Sequence, residues 1–295
     1  NIARMAKKTI PEIQILTFYS FCLEVLNGYT LNSKVKDLFF KNQKTSDEEK
    51  KNSQIESFFD CHIEGLKLLT APEQWNVISN ILSNIDEKKH SKIYKLLSNN
   101  NIKENITQEI FDYILRAQEN LLSPKQLALK FTPFTNKLMY EVNDIYRIYE
   151  EELRKENYLD YGSLLFNTYL LLKDDESIRN YYVNNYDFIL VDEFQETNLA
   201  QFEILKLISN KNVIFFGDDD QSVYKFRGSN INNFYKIYDS LPSENKIILN
   251  KNYPNCFEIS FLLKSFINKN LKRVAKDYLV EDNPISSGCE IVIKS

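Results

Sequence analysis

The stretch FILVDEFQETN, Phe188 to Asn198, sets a short apolar run directly against two carboxylates, and FFGDDDQSVYKFRGS, Phe215 to Ser229, repeats the arrangement. The runs FILV (188–191), VIFF (213–216) and KIIL (246–249) are short, continuous and separated by helix-length segments. That is the pattern of a parallel sheet whose strands are buried beneath crossover helices. A fourth run, IQIL within Glu12 to Leu16, reads as a strand feeding the helix-like FYSFCLEVL. The strands stop at Thr17, Asp192, Gly217 with Asp218, and Asn250. In an open parallel sheet those carboxyl ends are where ligands sit.

Outward from these runs the character changes. Between Leu31 and Asn157 strand-like runs almost vanish, and Lys, Glu, Asn and Gln alternate with apolar residues at helical spacing. This predicts an all-helical insert, residues 31–157. Within it, Asn136 to Glu156 places Leu138, Val142, Ile145, Tyr149 and Leu153 on one stripe, an amphipathic helix. Tyr140 and Tyr146 beside that stripe are read as packing residues. Lys41 to Gln54 has no apolar face and is read as a solvated loop or frayed helix. Asp160 is placed to cap the helix that begins YGSLLFNTYLLL.

Composition narrows the function classes. The chain has 295 residues, a hydrophobic fraction of 43% and a formal net charge of -4, which excludes a protein coating nucleic acid by charge alone but leaves room for a local basic groove. Its four cysteines, Cys22, Cys61, Cys256 and Cys289, form no C-x-x-C pair, so zinc and disulfide frameworks are not expected. No apolar run reaches membrane-spanning length, and the expected location is cytoplasmic.

The strand-end residues carry chemistry. An aspartate fixed at a strand end, here Asp192, can hold Mg2+ through its water shell and so bridge phosphate oxygens. Glu193 beside it could polarise a water, and Gln195 and Gln221 could orient that water or touch a terminal phosphate. A lone Asp-Glu strand end is more often a solvated terminus or helix cap, so the second run matters more. Asp218, Asp219 and Asp220 repel one another unless a cation or donors compensate. Gln221, Tyr224, Phe226 and Arg227 then supply amide, aromatic and cationic groups suited to bases and phosphate.

These residues resemble the UvrD/Rep-type superfamily 1 DNA helicases. Val191 to Asn198 is similar to that family's motif II, and Gly217 to Gly228 to its motif III. Thr17-Phe18-Tyr19-Ser20-Phe21-Cys22 resembles its TFHSFC-like DNA-contacting motif with Tyr19 in place of His. Asn1 to Ile10, Tyr158 to Tyr161, and Leu249 to Tyr253 resemble further segments, the last being the start of motif IV. The resemblance implies a RecA-like P-loop NTPase α/β fold: a parallel sheet flanked by helices, with an inserted all-helical domain. Residues 1–30 with 158–251 would form the first RecA-like domain, 31–157 the insert, and 252–295 the start of a second RecA-like domain.

It also implies ATP and Mg2+ as cofactors, and single-stranded DNA and duplex–single-strand junctions as partners, with 3′ to 5′ movement. Asp192 becomes the magnesium carboxylate, Glu193 the general base and Gln221 the terminal-phosphate sensor, with Gln195 and Arg227 near the nucleotide. Thr17, Phe18, Tyr19, Tyr224, Phe226 and Arg227 fall on the DNA side. The pattern is incomplete. No G-x-x-x-x-G-K-[ST] occurs, Phe226 stands for Trp, and Pro254 replaces the motif IV arginine. The expectation is a piece lacking the phosphate loop and most of the second RecA-like domain, unable to unwind DNA alone. A nucleic-acid-binding relative with weakened turnover is the alternative.

Overall fold

The computed structural model describes residues 13–31, 67–99, 103–222, 228–250, 257–270 and 273–276. The polar run 41–54, the aromatic and cationic residues Tyr224, Phe226 and Arg227, and Pro254 lie outside them. The chain divides into two compact units, residues 1–189 with 198–213, and residues 190–197 with 214–295.

The first unit is mainly helical and holds two separate apolar cores. One is built where α1 (Phe18–Leu31), α7 (Tyr161–Asp174), α8 (Glu176–Asn185) and α9 (Leu199–Ile208) pack together, burying Cys22, Leu26, Leu164, Leu172, Ile178 and Ile204. The other is contributed by α2 (Ala71–Ser83), α3 (Ser91–Leu97), α4 (Lys103–Glu119), α5 (Pro124–Ala128) and α6 (Lys137–Lys155). It buries Ile78, Ile93, Ile114, Ile145, Tyr146 and Tyr149. Each such side chain contributes about 1.5–3 kcal/mol when fully buried.

Local chemistry explains where these helices start. Asn136 caps α6 by accepting from Met139 N, close to the predicted boundary. The stripe on α6 is as read at Ile145, Tyr149 and Leu153, and Tyr146 is fully buried, a packing residue. Asp160 caps α7, accepting from Ser163 N at 2.5 Å, while its other oxygen takes the Tyr149 hydroxyl at 2.6 Å. Buried Glu141 does the same for α3, accepting from Lys92 N at 2.9 Å and Ile93 N at 3.0 Å. A carboxylate satisfies the orphan N–H groups of a helix start and complements its dipole. Just before α7, β2 (Tyr158–Leu159) pairs in parallel with β1 (Lys67–Leu68), which precedes α2, with Lys67 opposite Tyr158 and Leu68 opposite Leu159.

The strands that carry the acidic loops are β3 (Ile189–Val191) and β4 (Val213–Phe215), which pair with one another. They run in the same direction: Ile189 N donates to Asn212 O at 2.9 Å and, further on, Phe216 N to Val191 O at 2.8 Å. Both segments cross from the first unit into the second, which continues through α10 (Ile231–Ser240) and α11 (Phe257–Ile267).

Three expectations about the strands are corrected. IQIL and KIIL form no ladder, because neither finds a partner strand among the described residues. Their apolar side chains are accordingly open to water, Ile247 at 85% and Leu249 at 83%. The third concerns β3 and β4, which are covered on one face rather than two. Val191 is buried, whereas Phe188, Leu190, Ile214 and Phe216 are exposed at alternate positions, as strand geometry dictates for a single uncovered face.

Candidate functional site

The loop after β3 is held by the ladder itself. Phe216 N donates to Val191 O, and Phe194 N returns a bond to Phe216 O at 2.9 Å, so the two residues between, Asp192 and Glu193, arch out at the strand end. Both are exposed. Asp192 Oδ1 accepts from Glu193 N at 3.0 Å. Glu193 lies in the left-handed region, φ 50° and ψ 43°, which costs a non-glycine residue about 1–2 kcal/mol. Phe194 is buried beneath them, its ring 4.4 Å from that of Phe215. Strain of this kind persists only where the surroundings over-determine it, and such positions cluster at functional sites.

Gln195 ties the two acidic loops together. It is 1% exposed. Its Nε2 donates to Glu193 Oε2 at 2.5 Å, and its Oε1 accepts from Asp218 N at 3.0 Å. One carboxamide therefore fixes the Glu193 side chain against the backbone of the other strand end. Gly217 makes room for it: a Cβ there would lie 2.6 Å from Gln195 Oε1 and 3.1 Å from the Phe234 ring. Any side chain at 217 would push against the link between the loops.

The three aspartates after β4 are compensated as their repulsion requires, and by the protein's own cations. Lys276 Nζ contacts Asp218 Oδ1, Asp219 Oδ1 and Asp220 Oδ2, and Arg273 Nη2 bonds Asp220 Oδ2 at 2.8 Å. The Asp219 side chain, fully buried, also accepts from Val274 N at 2.7 Å and from the Tyr235 hydroxyl at 3.2 Å. Oxygens of the three carboxylates lie within 4.8 Å of one another. The ammonium of Lys276 stands among them, so this cluster does not fit a metal ion. Burial pushes Lys276 down, but its bonds to Asp218 and Asp219 outweigh that and raise it above the usual lysine range. Burial likewise pushes Asp218 up, and the bonds from Lys276 and Gln221 overcome it, so its carboxyl titrates below the ordinary aspartate value. Gln221 is exposed, its Nε2 donating to Asp218 Oδ2 at 2.8 Å.

Asp192 does fit a divalent cation. It offers hard oxygens at an exposed strand end and has no ion pair among the described residues, the donor set and hydration that Mg2+ takes. The end of the FILVDEFQETN stretch, by contrast, is structural. The Thr197 hydroxyl donates to Phe194 O at 2.8 Å, and Asn198 caps α9 by accepting from Gln201 N at 2.9 Å.

The predicted residues thus separate into groups. Asp192, Glu193, Gln195 and Gln221 come together on the two strand ends of the second unit. Thr17, Phe18 and Tyr19 belong to the first unit, where Thr17 Oγ1 accepts from Ser20 N at 3.1 Å as a helix cap and Phe18 and Tyr19 pack on the α1 core. Tyr19 stacks edge-on against Tyr161 at 5.0 Å, and burial, with Glu119 next, raises its hydroxyl to about 12. Arg273 and Lys276 were missed by sequence reasoning. Their only signal was the requirement that something neutralise three adjacent aspartates. A cavity of about 470 Å³ lined by Tyr140, Asn143, Glu150, Arg154 and Phe166 lies in the helical first unit and includes none of the predicted site residues.

Residues 1–242 match the family model for the UvrD/REP helicase N-terminal domain. The chain is 33% identical over 223 residues to a probable DNA helicase II homolog of Mycoplasma capricolum, covering 72% of this chain and 30% of that protein. It is 30% identical to an ATP-dependent DNA helicase Rep of Buchnera aphidicola subsp. Baizongia pistaciae, covering 71% of this chain and 31% of the relative. Against the ATP-dependent DNA helicase PcrA of Bacillus subtilis the identity is 27%, over 73% of this chain and 27% of the relative. The chain spans about a third of the length of these relatives. Among the described residues no helix is long and apolar enough to cross a membrane.

Proposed function

The chain belongs to the UvrD/REP helicase family, and we propose that it is the portion of an ATP-driven, single-strand-translocating DNA helicase that carries the water-activating and phosphate-sensing loops. The observation that carries this reading is the exposed Asp192–Glu193 pair at the end of β3, cross-linked by buried Gln195 to the loop after β4. Asp192 would hold the magnesium ion, which when bound neutralises charge on the phosphate oxygens. Glu193 Oε1, which has no hydrogen bond among the described residues, would take the proton of the attacking water. Gln221 would report the terminal phosphate to the segment that follows it, where Tyr224, Phe226 and Arg227 would meet DNA. Thr17, Phe18 and Tyr19 would contribute to the DNA side through the position of the α1 start rather than through free aromatic faces, since both rings pack on the core.

The separate core of α2 to α6 supports reading residues 31–157 as a domain inserted into the first RecA-like domain. Residues 252–295 would begin a second. We assign 3′ to 5′ movement, junction DNA as a substrate and a cytoplasmic location on family grounds. A second reading, a DNA-binding relative with weak turnover, is favoured by Pro254 at the motif IV arginine position.

ATP turnover by the full-length gene product with single-stranded DNA decides between them. Glu193→Gln is expected to lower the stimulated rate about 100-fold or more, with DNA binding retained. Unaltered turnover in that variant would sink the motor reading, and wild-type protein that binds DNA without turnover would establish the binder.

A further inference from the structure

Gln221 sits on a single-turn 3-10 segment, Asp219 to Gln221, and is exposed, so nothing in its own burial fixes the carboxamide. Its position depends on Asp218. Asp218 accepts from Gln221 Nε2 on Oδ2, and on Oδ1 it accepts both Asp220 N at 3.1 Å and the ammonium of Lys276. The residue that aims Gln221 is therefore the one that closes the turn, and its free rotation is stopped by Lys276.

Lys276 is itself well placed to do this. Its side chain is only 11% exposed, and it reaches three consecutive carboxylates that precede it by more than fifty positions in sequence. The segment carrying it is anchored independently: Val274 N donates to Asp219, and Arg273 bonds both Asp220 and Asn268 Oδ1, the latter at 2.6 Å. Without the ammonium, three carboxylates within 4.8 Å would face one another with Arg273, on the third, as the one remaining cationic partner among the described residues. Like charges at that separation relax by turning away or taking up a proton. Either response releases Asp218 from its present rotamer, and Gln221 with it.

We propose that Lys276 is a positioning residue for Gln221, a clamp from the segment after α11 that sets the carboxamide through Asp218. The clamp rests on the reading of Gln221 as the phosphate-sensing group, and it extends that reading to a residue about 55 positions downstream. It makes the sensor's geometry conditional on the placement of residues 273–276. Displacing that segment would loosen the sensor, and seating it would fix the sensor, without any change at Asp192 or Glu193.

Two measurements test this separately. In the 295-residue chain, hydrogen exchange of the Gln221 carboxamide followed by 15N NMR should quicken about threefold or more in Lys276→Met. It should stay near wild type in Lys276→Arg and in Arg273→Gln, which loses the Asp220 bond but leaves Asp218 paired. If Lys276→Met does not fold, Lys276→Gln keeps donors without charge and reads the same quantity. Unchanged Gln221 exchange in the charge-removing variant overturns the clamp whatever the activity.

In the full-length gene product, Lys276→Met should lower kcat for DNA-stimulated ATP turnover about 10- to 100-fold, as expected for a displaced catalytic group. KM for ATP should stay within about twofold, and Lys276→Arg should recover most of the rate. A loss confined to KM, or one that Lys276→Arg fails to relieve, overturns the positioning role. Wild-type protein without DNA-stimulated turnover would defeat the function proposed above, and the NMR result would still decide the clamp.

Discussion

Behind β3 the carboxylates of Asp192 and Glu193 are exposed and meet no cation among the described residues, whereas behind β4 those of Asp218, Asp219 and Asp220 converge on Lys276 and Arg273. The two loops have the same origin, a short apolar strand stopping against acid, and are joined through one carboxamide. Their charges are treated in opposite ways. A carboxylate already compensated by an ammonium and buried donors has little left to offer a ligand, while an exposed one keeps its lone pairs and hydration. The difference teaches that acid density is a poor guide to a cation site. Three adjacent aspartates suggest metal more loudly than Asp192, yet it is Asp192 that remains open.

The largest stability effect should come from removing the central buried acid. Asp219→Ala removes the carboxylate that accepts from Val274 N and the Tyr235 hydroxyl and that balances part of the Lys276 charge. Breaking a buried pair by deleting one partner costs about 3 kcal/mol or more, so urea unfolding of the 295-residue chain should shift by that amount. Asp192→Ala, at the exposed strand end, should stay within about 0.5 kcal/mol. Equal costs for the two substitutions would erase the contrast between the loops.

The link between the loops can be attacked at Gly217. An added Cβ would press on Gln195 Oε1 and the Phe234 ring, and the carboxamide cannot retreat without losing Asp218 N or Glu193. Overpacking of this kind costs about 1–3 kcal/mol. Gly217→Ala should destabilise the chain within that range. A crystal structure of the variant should show Gln195 displaced from at least one of its two partners. A neutral substitution with Gln195 in place would mean that the loops are held together by something other than this bond.

How much of this was legible in the sequence depends on whether the physical cause is local. Helix starts were legible, because Asp160 and Asn136 act on N–H groups a few residues away. The β3 and β4 strands were legible from FILV and VIFF, and the strand-end placement of Asp192 and Glu193 followed. KIIL and IQIL misled because apolar, β-prone sequence is necessary for a strand but a partner edge completes it. Tyr19 and Phe18 were placed on the DNA side by resemblance alone, and their packing on the α1 core is a tertiary outcome that no short motif encodes. Gln195 read as an amide able to orient the attacking water or touch a terminal phosphate, and its burial between two loops became visible only when the ladder set Val191 opposite Phe216. Lys276 was the hardest to see. The need for a cation near Asp218 was readable, but its source more than fifty residues onward was a fact of folding.

The smallest expected effect is in the pH dependence of the clamped loop, and its sign is fixed by the two partners. Asp218 is pushed up by burial and pulled down further by Lys276 and Gln221, so its folded value lies below the ordinary one. Its contribution to stability is therefore present above about pH 3.9, the unfolded reference, and is lost as pH falls through the folded value. Lys276 is raised. Its contribution is complete below about pH 10.4 and disappears as pH climbs through the folded value. Between those limits the clamp holds at constant strength, and linkage makes stability rise with pH on the acid limb and fall on the basic limb. Urea unfolding midpoints taken across the acid limb should consequently flatten in Asp218→Asn. Because Lys276 supplies the leading downward pull on Asp218, Asp218→Asn made on top of Lys276→Met should change the acid slope much less than the same substitution in wild type. Equal changes in the two backgrounds would separate Asp218 from Lys276. The loop after β4 would then be acidic for a reason other than this pairing.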